Sequence, residues 1–281
     1  MTEGRLGMVV CPMLEDEAIY NLKNDHEDKR IYLVKGAYNT TIIPKLKQHN
    51  VPYTMIDEHT VLNGDYDHDG YTVIIWTMFM GLHEDIDMLR MEVMNQIVKI
   101  HSAVDTILLY YGRCGRGLDT ICDWAYEMVP TPVCIFRNKD GTICDDCICI
   151  PVGGTERYLK LLRKYPGRFY FTPAMASNFE GFLMSMELFN GLDVKNDDIM
   201  KIILDLAGYT TVMRVQTGNG DQEHFDENIK RFTDKYNLEC TRLEDGWATN
   251  DLADLNYDDA KSTMTRWLNE GKKERVIPNA E

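Results

Sequence analysis

The stretch "VDTILLYYGRCGRGLDTICDWAYEM" (residues 104–128) joins an apolar segment to a helical one through a glycine-rich turn. Residues 104–112 are dominated by apolar side chains, as is typical of a parallel strand that is covered on both faces. Gly112 ends this segment, Cys114 and two more glycines follow, and residues 118–128 form a predicted helix. In a parallel α/β sheet, ligands bind beyond the carboxyl ends of the strands, so this thiol lies where a site is expected.

The same alternation of strand and helix extends on both sides of this stretch. Further strands are predicted at residues 7–11, 30–35, 71–79, 133–136, 143–152, 168–172, 210–216 and 238–244. Helices are predicted from about Glu15, over 41–50 with a break near Pro44, and over 84–100, 155–165, from about Met175, and 224–237. This order predicts an α/β fold with a largely parallel, helix-covered sheet in Rossmann-like layers. We expect one domain over residues 1–270, or two α/β lobes with the second from about 195, and a mobile tail over 271–281.

The composition excludes several classes of protein. With 45 acidic and 30 basic residues the formal net charge is −15, which disfavours binding to nucleic acid. No export signal is apparent, and the longest apolar stretch, residues 72–82, is far shorter than the ~20 residues of a membrane-spanning helix. We therefore expect a cytoplasmic protein without a membrane partner. In that compartment, metal binding or catalysis explains a group of cysteines better than disulfides do.

The eight cysteines divide into two groups. Cys122, Cys134 and Cys240 have apolar neighbours and are expected in the core, since a free cysteine behaves as a small hydrophobe. Cys11, Cys114 and Cys147 lie at predicted strand ends or beside turns, which leaves a shared site and separate burial both open. Cys144, Cys147 and Cys149 form a C-x-x-C-x-C run, and on a strand the last two would share one face.

Two glycine-rich turns and one histidine complete the candidate residues. The turns "GRCGRG" (112–117) and "PVGGTERY" (151–158) precede helices whose first amides favour an anion, with arginines nearby. A tight turn alone also explains the second pair of glycines. The candidate cofactor-binding residues are Gly112, Arg113, Gly115, Arg116, Gly117, Gly153 and Gly154. Cys114, beside a helix N-terminus and two arginines, is expected to have a lowered pKa. His83 follows a strand, where a ligand or a general base belongs.

Several blocks together resemble one known family. They are "VVCPMLEDE", "LHEDIDML", "YYGRCGRGL", "DCICIPVGGTERY" (146–158) and "YPGRFYFTPAM" (165–175). In order and spacing they resemble the blocks of domain-of-unknown-function family 1638, over most of the chain to about residue 220. The resemblance implies that Cys11, His83, Cys114 and Cys147 are the polar residues of one pocket. Two positions depart from the family pattern: Cys149 replaces Thr or another small residue, and Glu84 replaces Asn.

The resemblance also implies a metabolic setting for the protein. Members of this family are often encoded beside corrinoid-dependent methyltransferases and corrinoid proteins of anaerobic methyl metabolism. This implies a role in one-carbon metabolism, as a methyltransferase or beside one, with corrinoid bound only by a partner. A homo-oligomer or a complex with such a partner is expected.

Three hypotheses follow from these residues. The first is a soft-metal site, zinc or iron–sulfur, held by Cys11, Cys114 and Cys147, with His83 or Cys149 completing it. The second is a non-catalytic accessory protein that docks a corrinoid protein or methyltransferase. The third is a metal-free enzyme with Cys114 as the catalytic nucleophile and Arg113 or Arg116 binding a small anionic substrate.

Overall fold

The architecture is that of a computed structural model, which describes residues 2–80, 82, 85–184 and 197–270. The strands are β1 Gly4–Val10, β2 Arg30–Val34, β3 Thr54–Ile56, β4 Tyr71–Thr77, β5 Thr106–Tyr110, β6 Val133–Ile135, β7 Arg168–Phe171, β8 Thr211–Arg214 and β9 Glu239–Arg242. The helices are α1 Glu15–Asn24, α2 Ile42–Gln48, α3 Glu58–Asn63, α4 Ile86–Ile100, α5 Ile121–Met128, α6 Thr155–Lys164, α7 Pro173–Ser177, α8 Phe179–Met184, α9 Asp197–Leu206, α10 Gln222–Tyr236 and α11 Asp251–Asn269.

These strands form two sheets, and every strand pair in them is parallel. The first sheet has the order β3-β2-β4-β1-β5-β6, and the second has the order β7-β8-β9. The prediction of a parallel α/β fold in Rossmann-like layers is confirmed. The second sheet begins at Arg168, ahead of residue 195, where a second lobe was expected to start.

Helices cover the first sheet on both faces. On one face α4 buries Leu89, Val93, Ile97 and Ile100, in the same apolar cluster as α5 and the second sheet. On the other face α1, α2 and α11 share a second cluster with the alternate residues of the strands. Because both faces are covered, the central strands β4 and β5 are apolar at nearly every position. None of the described helices is long and apolar enough to cross a membrane.

One local prediction about a helix was wrong, and helices α3, α9 and α11 were missed. Pro44 is the third residue of α2, where a missing N–H costs no helical hydrogen bond, so the helix is not broken there. Helix α11 escaped prediction because its buried positions include Asn256 and small alanines, which weaken the apolar pattern. The predicted tail, 271–281, lies outside the described residues.

The segment 143–152 is not a strand, contrary to the prediction. After a single antiparallel bridge between Arg137 and Ile143 it runs through bends and turns. The Asp146 carboxylate accepts a hydrogen bond from the Cys149 amide at 3.0 Å, which holds the turn. The alternation of apolar and polar residues in this segment therefore reflects a buried loop between the two core clusters.

The register of the first sheet fixes where the site lies. Val10 pairs with Thr77 on one side and with Tyr110 on the other. Strands β1, β4 and β5 therefore end level with one another. The residues that follow them come together at one carboxyl edge, the place where parallel α/β folds bind ligands.

Candidate functional site

Cys11 is fixed to this edge by the sheet itself. It directly follows β1, and Tyr111 directly follows β5, whose last residue pairs with Val10. The side chains of Cys11 and Tyr111 lie close enough to shift each other's pKa, and both are almost fully buried. Cys11 is thus held by the strand register beside a phenol, on the face of the sheet covered by α4 and α5.

Cys114 is held by an unusual turn. Cys114, Gly115 and Arg116 all have positive φ, at +46°, +65° and +74°. Positive φ is costly for a residue with a side chain, and such strain gathers at functional sites. Side chains cannot replace the glycines here. A Cβ on Gly112 would lie 2.7 Å from the carbonyl oxygen of Cys144.

The same turn is tied to the segment that carries Cys147. The amide of Arg113 donates to the Cys144 carbonyl at 2.7 Å, and the amide of Cys114 donates to the Asp145 carbonyl at 3.1 Å. These two bonds join the turn after β5 to residues 144–145. They bring Cys147, only two residues further on, to the edge where Cys11 and Cys114 lie.

Electrostatic coupling shows that the three thiols lie together. The charge of Cys11 helps to raise the pKa of Cys114, and the charges of Cys11 and Cys114 both help to raise the pKa of Cys147. We call Cys11, Cys114 and Cys147 the thiol cluster. These three residues, from distant parts of the chain, are therefore within electrostatic reach of one another.

The expected lowering of the Cys114 pKa is wrong. Burial is the main cause that raises the pKa of Cys114 well above its usual value, and the charges of Cys11 and Asp146 add to it. Helix α5 begins only at Ile121, so the thiol does not lie at a helix N-terminus. Burial likewise raises the pKa of Cys11 to about 12, although hydrogen bonds from the Met13 amide and Tyr111 act against it. The cluster thus consists of neutral thiols at neutral pH.

Asp146 is a site residue that the sequence analysis missed. Its carboxylate lies close enough to raise the pKa values of Cys114 and Cys147, and burial raises its own pKa. The signal available was its position directly before Cys147 in the "DCICIPVGGTERY" block. Asp146 adds an oxygen donor beside three sulfurs.

The structure does not place the other two predicted ligands, Cys149 and His83, in the thiol cluster. Cys149 is fully buried in the apolar cluster on the opposite face of the sheet, and its thiol is hydrogen-bonded with Thr155 and Asp146. Cys144 is buried in that same cluster. His83 lies outside the described residues. Of the cysteines expected in the core, Cys122 and Cys134 pack against it, but Cys240 lies exposed on β9.

The arginines of the first glycine-rich turn are paired within the protein. Arg113 binds Asp119 through two nitrogens at 2.5 and 3.0 Å, and Asp145 through a third at 3.0 Å. Arg116 is largely exposed, and its Nε lies 3.5 Å from Asp119. Side chains added at Gly115 or Gly117 would press on Ile86. Arg113 therefore stabilises the turn through two carboxylates. Of these two arginines, Arg116 is the one that is exposed to an anion in solution.

The second glycine-rich turn is also satisfied internally. Gly153 and Gly154 have φ of +81° and +122°, and their amides donate to the carbonyls of Ile150 and Cys149. The first amide of α6, that of Thr155, donates to the Asn138 side chain at 2.9 Å. These contacts agree with the role of the two glycines in a tight turn.

A second group of buried ionisable side chains begins α1, next to the thiol cluster. Glu15, Asp16 and Glu17 are each at most 3% exposed, and we call them, with Lys45, the acid cluster. The Lys45 Nζ lies 3.2 Å from Glu15 Oε2 and 2.9 Å from Asp16 Oδ1. Burial, and then the Asp16 charge, raises the pKa of Glu17 to about 8. The Glu15 charge also raises the pKa of Cys11, so the two clusters adjoin.

The described residues contain no ready-made metal-ligand set. No three His, Cys, Asp or Glu side chains in that part of the chain are arranged closely enough to hold an ion as they lie. The donor types at the thiol cluster, three sulfurs and the Asp146 oxygens, are nevertheless those that soft divalent ions accept.

The fold and site define a class: a parallel α/β protein with a partly buried thiol cluster at the carboxyl edge of its main sheet. The family described as "Protein of unknown function (DUF1638)" matches residues 77–250, and the chain belongs to that family. The matched region includes Cys114, Asp146 and Cys147, whereas Cys11 precedes it. No curated protein and no solved structure shows significant similarity to the chain.

Proposed function

We propose that this chain is a metal-binding protein in which Cys11, Cys114 and Cys147 take up one soft ion, with zinc as the first choice. The observation that carries the proposal is the mutual effect of the three thiols on their pKa values. Sulfurs from three separate chain segments are close enough to oppose each other's ionisation. None of the described groups that shift the pKa of Cys114 is a cation, so nothing there offsets a thiolate charge.

In this proposal a divalent ion neutralises the charge of the three thiolates. Three thiolates repel each other unless a cation neutralises them, and zinc and iron–sulfur centres are bound in this way. The site is not preformed, so binding requires the sulfurs to turn towards a common point. His83 and Asp146 are the proposed sources of a further ligand.

The surrounding residues have distinct tasks in this proposal. The Tyr111 hydroxyl and the Met13 amide both act to lower the pKa of Cys11, which favours its thiolate form. Arg113 and its two aspartates hold the turn that carries Cys114. A bound divalent ion supplies a Lewis acid or an activated thiolate at this edge. The setting we propose is corrinoid-dependent methyl transfer, with a methyltransferase or corrinoid protein as partner.

The nucleophile hypothesis is less well supported. An attacking cysteine needs a substantial thiolate fraction, and the raised pKa of Cys114 opposes this. Arg113, proposed to bind the anionic substrate, is already paired with two carboxylates.

The test is metal analysis of protein purified without oxygen. We expect about one equivalent of zinc or iron per chain, and at least a hundredfold weaker zinc binding in Cys114→Ser and Cys147→Ser. Cys240→Ser, which changes an exposed cysteine far along the chain, is the matched control and is expected to bind like the wild type. Less than a tenth of an equivalent in the wild type after zinc loading, or undiminished binding in both cluster variants, would overturn the proposal.

A further inference from the structure

A cavity of about 280 Å³ lies at the amino end of β7, against the loop that carries Cys147. Ile148, which directly follows Cys147, forms part of its wall. Tyr158 forms another part. Burial is the main cause that raises the pKa of Tyr158, and the charges of Asp146 and Cys147 add to it. The cavity is therefore a neighbour of the thiol cluster, although no member of that cluster is among its described lining residues.

Five aromatic rings line much of the cavity. The ring of Tyr158 packs edge-on against that of Tyr170, with 5.6 Å between the ring centroids. Tyr209 packs in the same way against Phe169, at 4.7 Å. Tyr165 supplies the fifth ring. Because aromatic rings prefer such edge-on and offset contacts with one another, this wall favours a ligand that contains a flat ring of its own.

Arg168 is the only charged residue among the described lining residues, none of which is acidic. Its Nη1 donates to the neutral hydroxyls of Thr210 and Thr211, and Arg168 forms no ion pair with a described residue. Its Nε is buried without an acceptor, whereas Nη2 also lacks a hydrogen bond but is open to solvent. An anionic group on Nη2 would thus supply the counter-charge that this guanidinium lacks within the described fold.

Two phenol hydroxyls are also available to a ligand. Those of Tyr158 and Tyr209 make no hydrogen bond in the part of the chain that the structure describes, and both are open to solvent. The Tyr165 hydroxyl is already used, since it donates to Glu244, and that carboxylate is paired with Lys164 at 2.7 Å. The cavity therefore combines an apolar aromatic wall with a few donors for the oxygen atoms of a ligand.

The charge of the cavity decides between two kinds of ligand. An aromatic cavity can hold a quaternary ammonium group through cation–π contacts. Arg168 would repel such a group, and no carboxylate among the described lining residues offsets this repulsion. An anion is therefore favoured over a cation here, although the protein as a whole carries a net charge of −15.

We propose that this cavity binds a small aromatic carboxylate, with its ring among the tyrosine side chains and its carboxylate on Arg168. A volume of about 280 Å³ equals that of about nine water molecules at liquid density, which suits a one-ring acid of similar heavy-atom number. This inference does not depend on the metal proposal, because none of the ligands proposed for the metal is among the described lining residues.

The experiment titrates benzoate, 4-hydroxybenzoate and phenylacetate singly into the full-length protein, with binding followed by ligand-observed NMR. At least one is expected to bind with a Kd of about 1 mM or lower. Benzamide, which lacks the charge, and acetate, which lacks the ring, are expected to bind about tenfold more weakly. Arg168→Gln is expected to weaken the best ligand about tenfold. Arg163→Gln, which changes an exposed arginine outside the lining, is the control and is expected to change nothing.

Ala207, an exposed residue of the lining, keeps the test decisive if Arg168→Gln does not fold. At low salt, Ala207→Glu is expected to weaken the best ligand about twofold or more, and Ala207→Lys to strengthen it by a similar factor. The proposal is overturned if none of the three acids binds at about 10 mM, or if benzamide, acetate or tetramethylammonium binds as tightly as they do. It is also overturned if folded Arg168→Gln binds like Arg163→Gln, or if the two Ala207 variants have equal affinity.

Discussion

The thiol cluster and the acid cluster lie side by side after β1, and they compensate the charge of their acidic side chains in different ways. Each brings together three acidic side chains, which are buried in the acid cluster and wholly or partly buried in the thiol cluster. The acid cluster contains its own cation, since Lys45 lies within 3.2 Å of two carboxylates. The thiol cluster keeps its protons instead, because burial and mutual repulsion raise the thiol pKa values. The thiols can exchange their protons for an external cation. The carboxylates of the acid cluster already have a fixed cation in Lys45, so an added cation would stabilise them less.

The largest expected effect is the pH dependence of metal binding. If all three thiols of the cluster lose a proton when zinc binds, the affinity should rise about a thousandfold per pH unit below the thiol pKa values. Competition with a fluorescent chelator between pH 6 and 8 measures this slope. Cys147→Ser should reduce it to about a hundredfold per unit, because one proton fewer is released. An affinity independent of pH would contradict the contrast between the two clusters.

The next largest effect concerns the cation of the acid cluster. Lys45→Met should lower the free energy of unfolding by about 3 kcal/mol, because it leaves Glu15 and Asp16 buried without a counter-charge. Urea denaturation at pH 7 measures the loss. Lys47→Met changes an exposed lysine of the same helix and should alter stability by less than about 0.5 kcal/mol. Equal stability of the two variants would show that Lys45 does not neutralise the cluster.

The third effect concerns Glu17 and is spread over several pH units. The folded protein raises the pKa of Glu17 from 4.5 to about 8, so between these pH values the folded state holds a proton that the unfolded state has lost. Stability from this group is therefore complete below pH 4.5 and falls as pH rises to 8, by up to about 1.4 kcal/mol per unit. Glu17→Gln should remove this part of the slope, as measured by urea denaturation at several pH values. A parallel pH profile for the variant and the wild type would exclude a protonated Glu17.

Much of the fold could be predicted because the buried strands have a clear pattern. The apolar runs of β4 and β5, and the helical spacing of Leu89, Val93 and Ile97 in α4, follow directly from burial on two faces. Helix α11 lacked such a pattern, since polar Asn256 occupies a buried position through hydrogen bonds to Arg137 and Leu252. Long-range partners of this kind leave no local trace in the sequence.

The site was predictable in its location and less so in its chemistry. The rule on strand ends placed Cys11 and Cys114 at one edge, and the glycine at 112 marked a close approach of two backbone segments. The sign of the Cys114 pKa shift was mispredicted, because desolvation depends on tertiary packing. The placement of Cys149 on the opposite face depended on a turn, held by Asp146, that resembles a strand in sequence.

The strained turn at Cys114 has a consequence for how the edge of the sheet is held together. Through the hydrogen bonds of Arg113 and Cys114 to residues 144–145, the turn and the loop that carries Cys147 form one backbone unit. Cys11, in contrast, is anchored by a strand that pairs on both sides. The two halves of the thiol cluster are thus anchored differently, Cys11 by strand pairing and the other two thiols by hydrogen bonds between two loops.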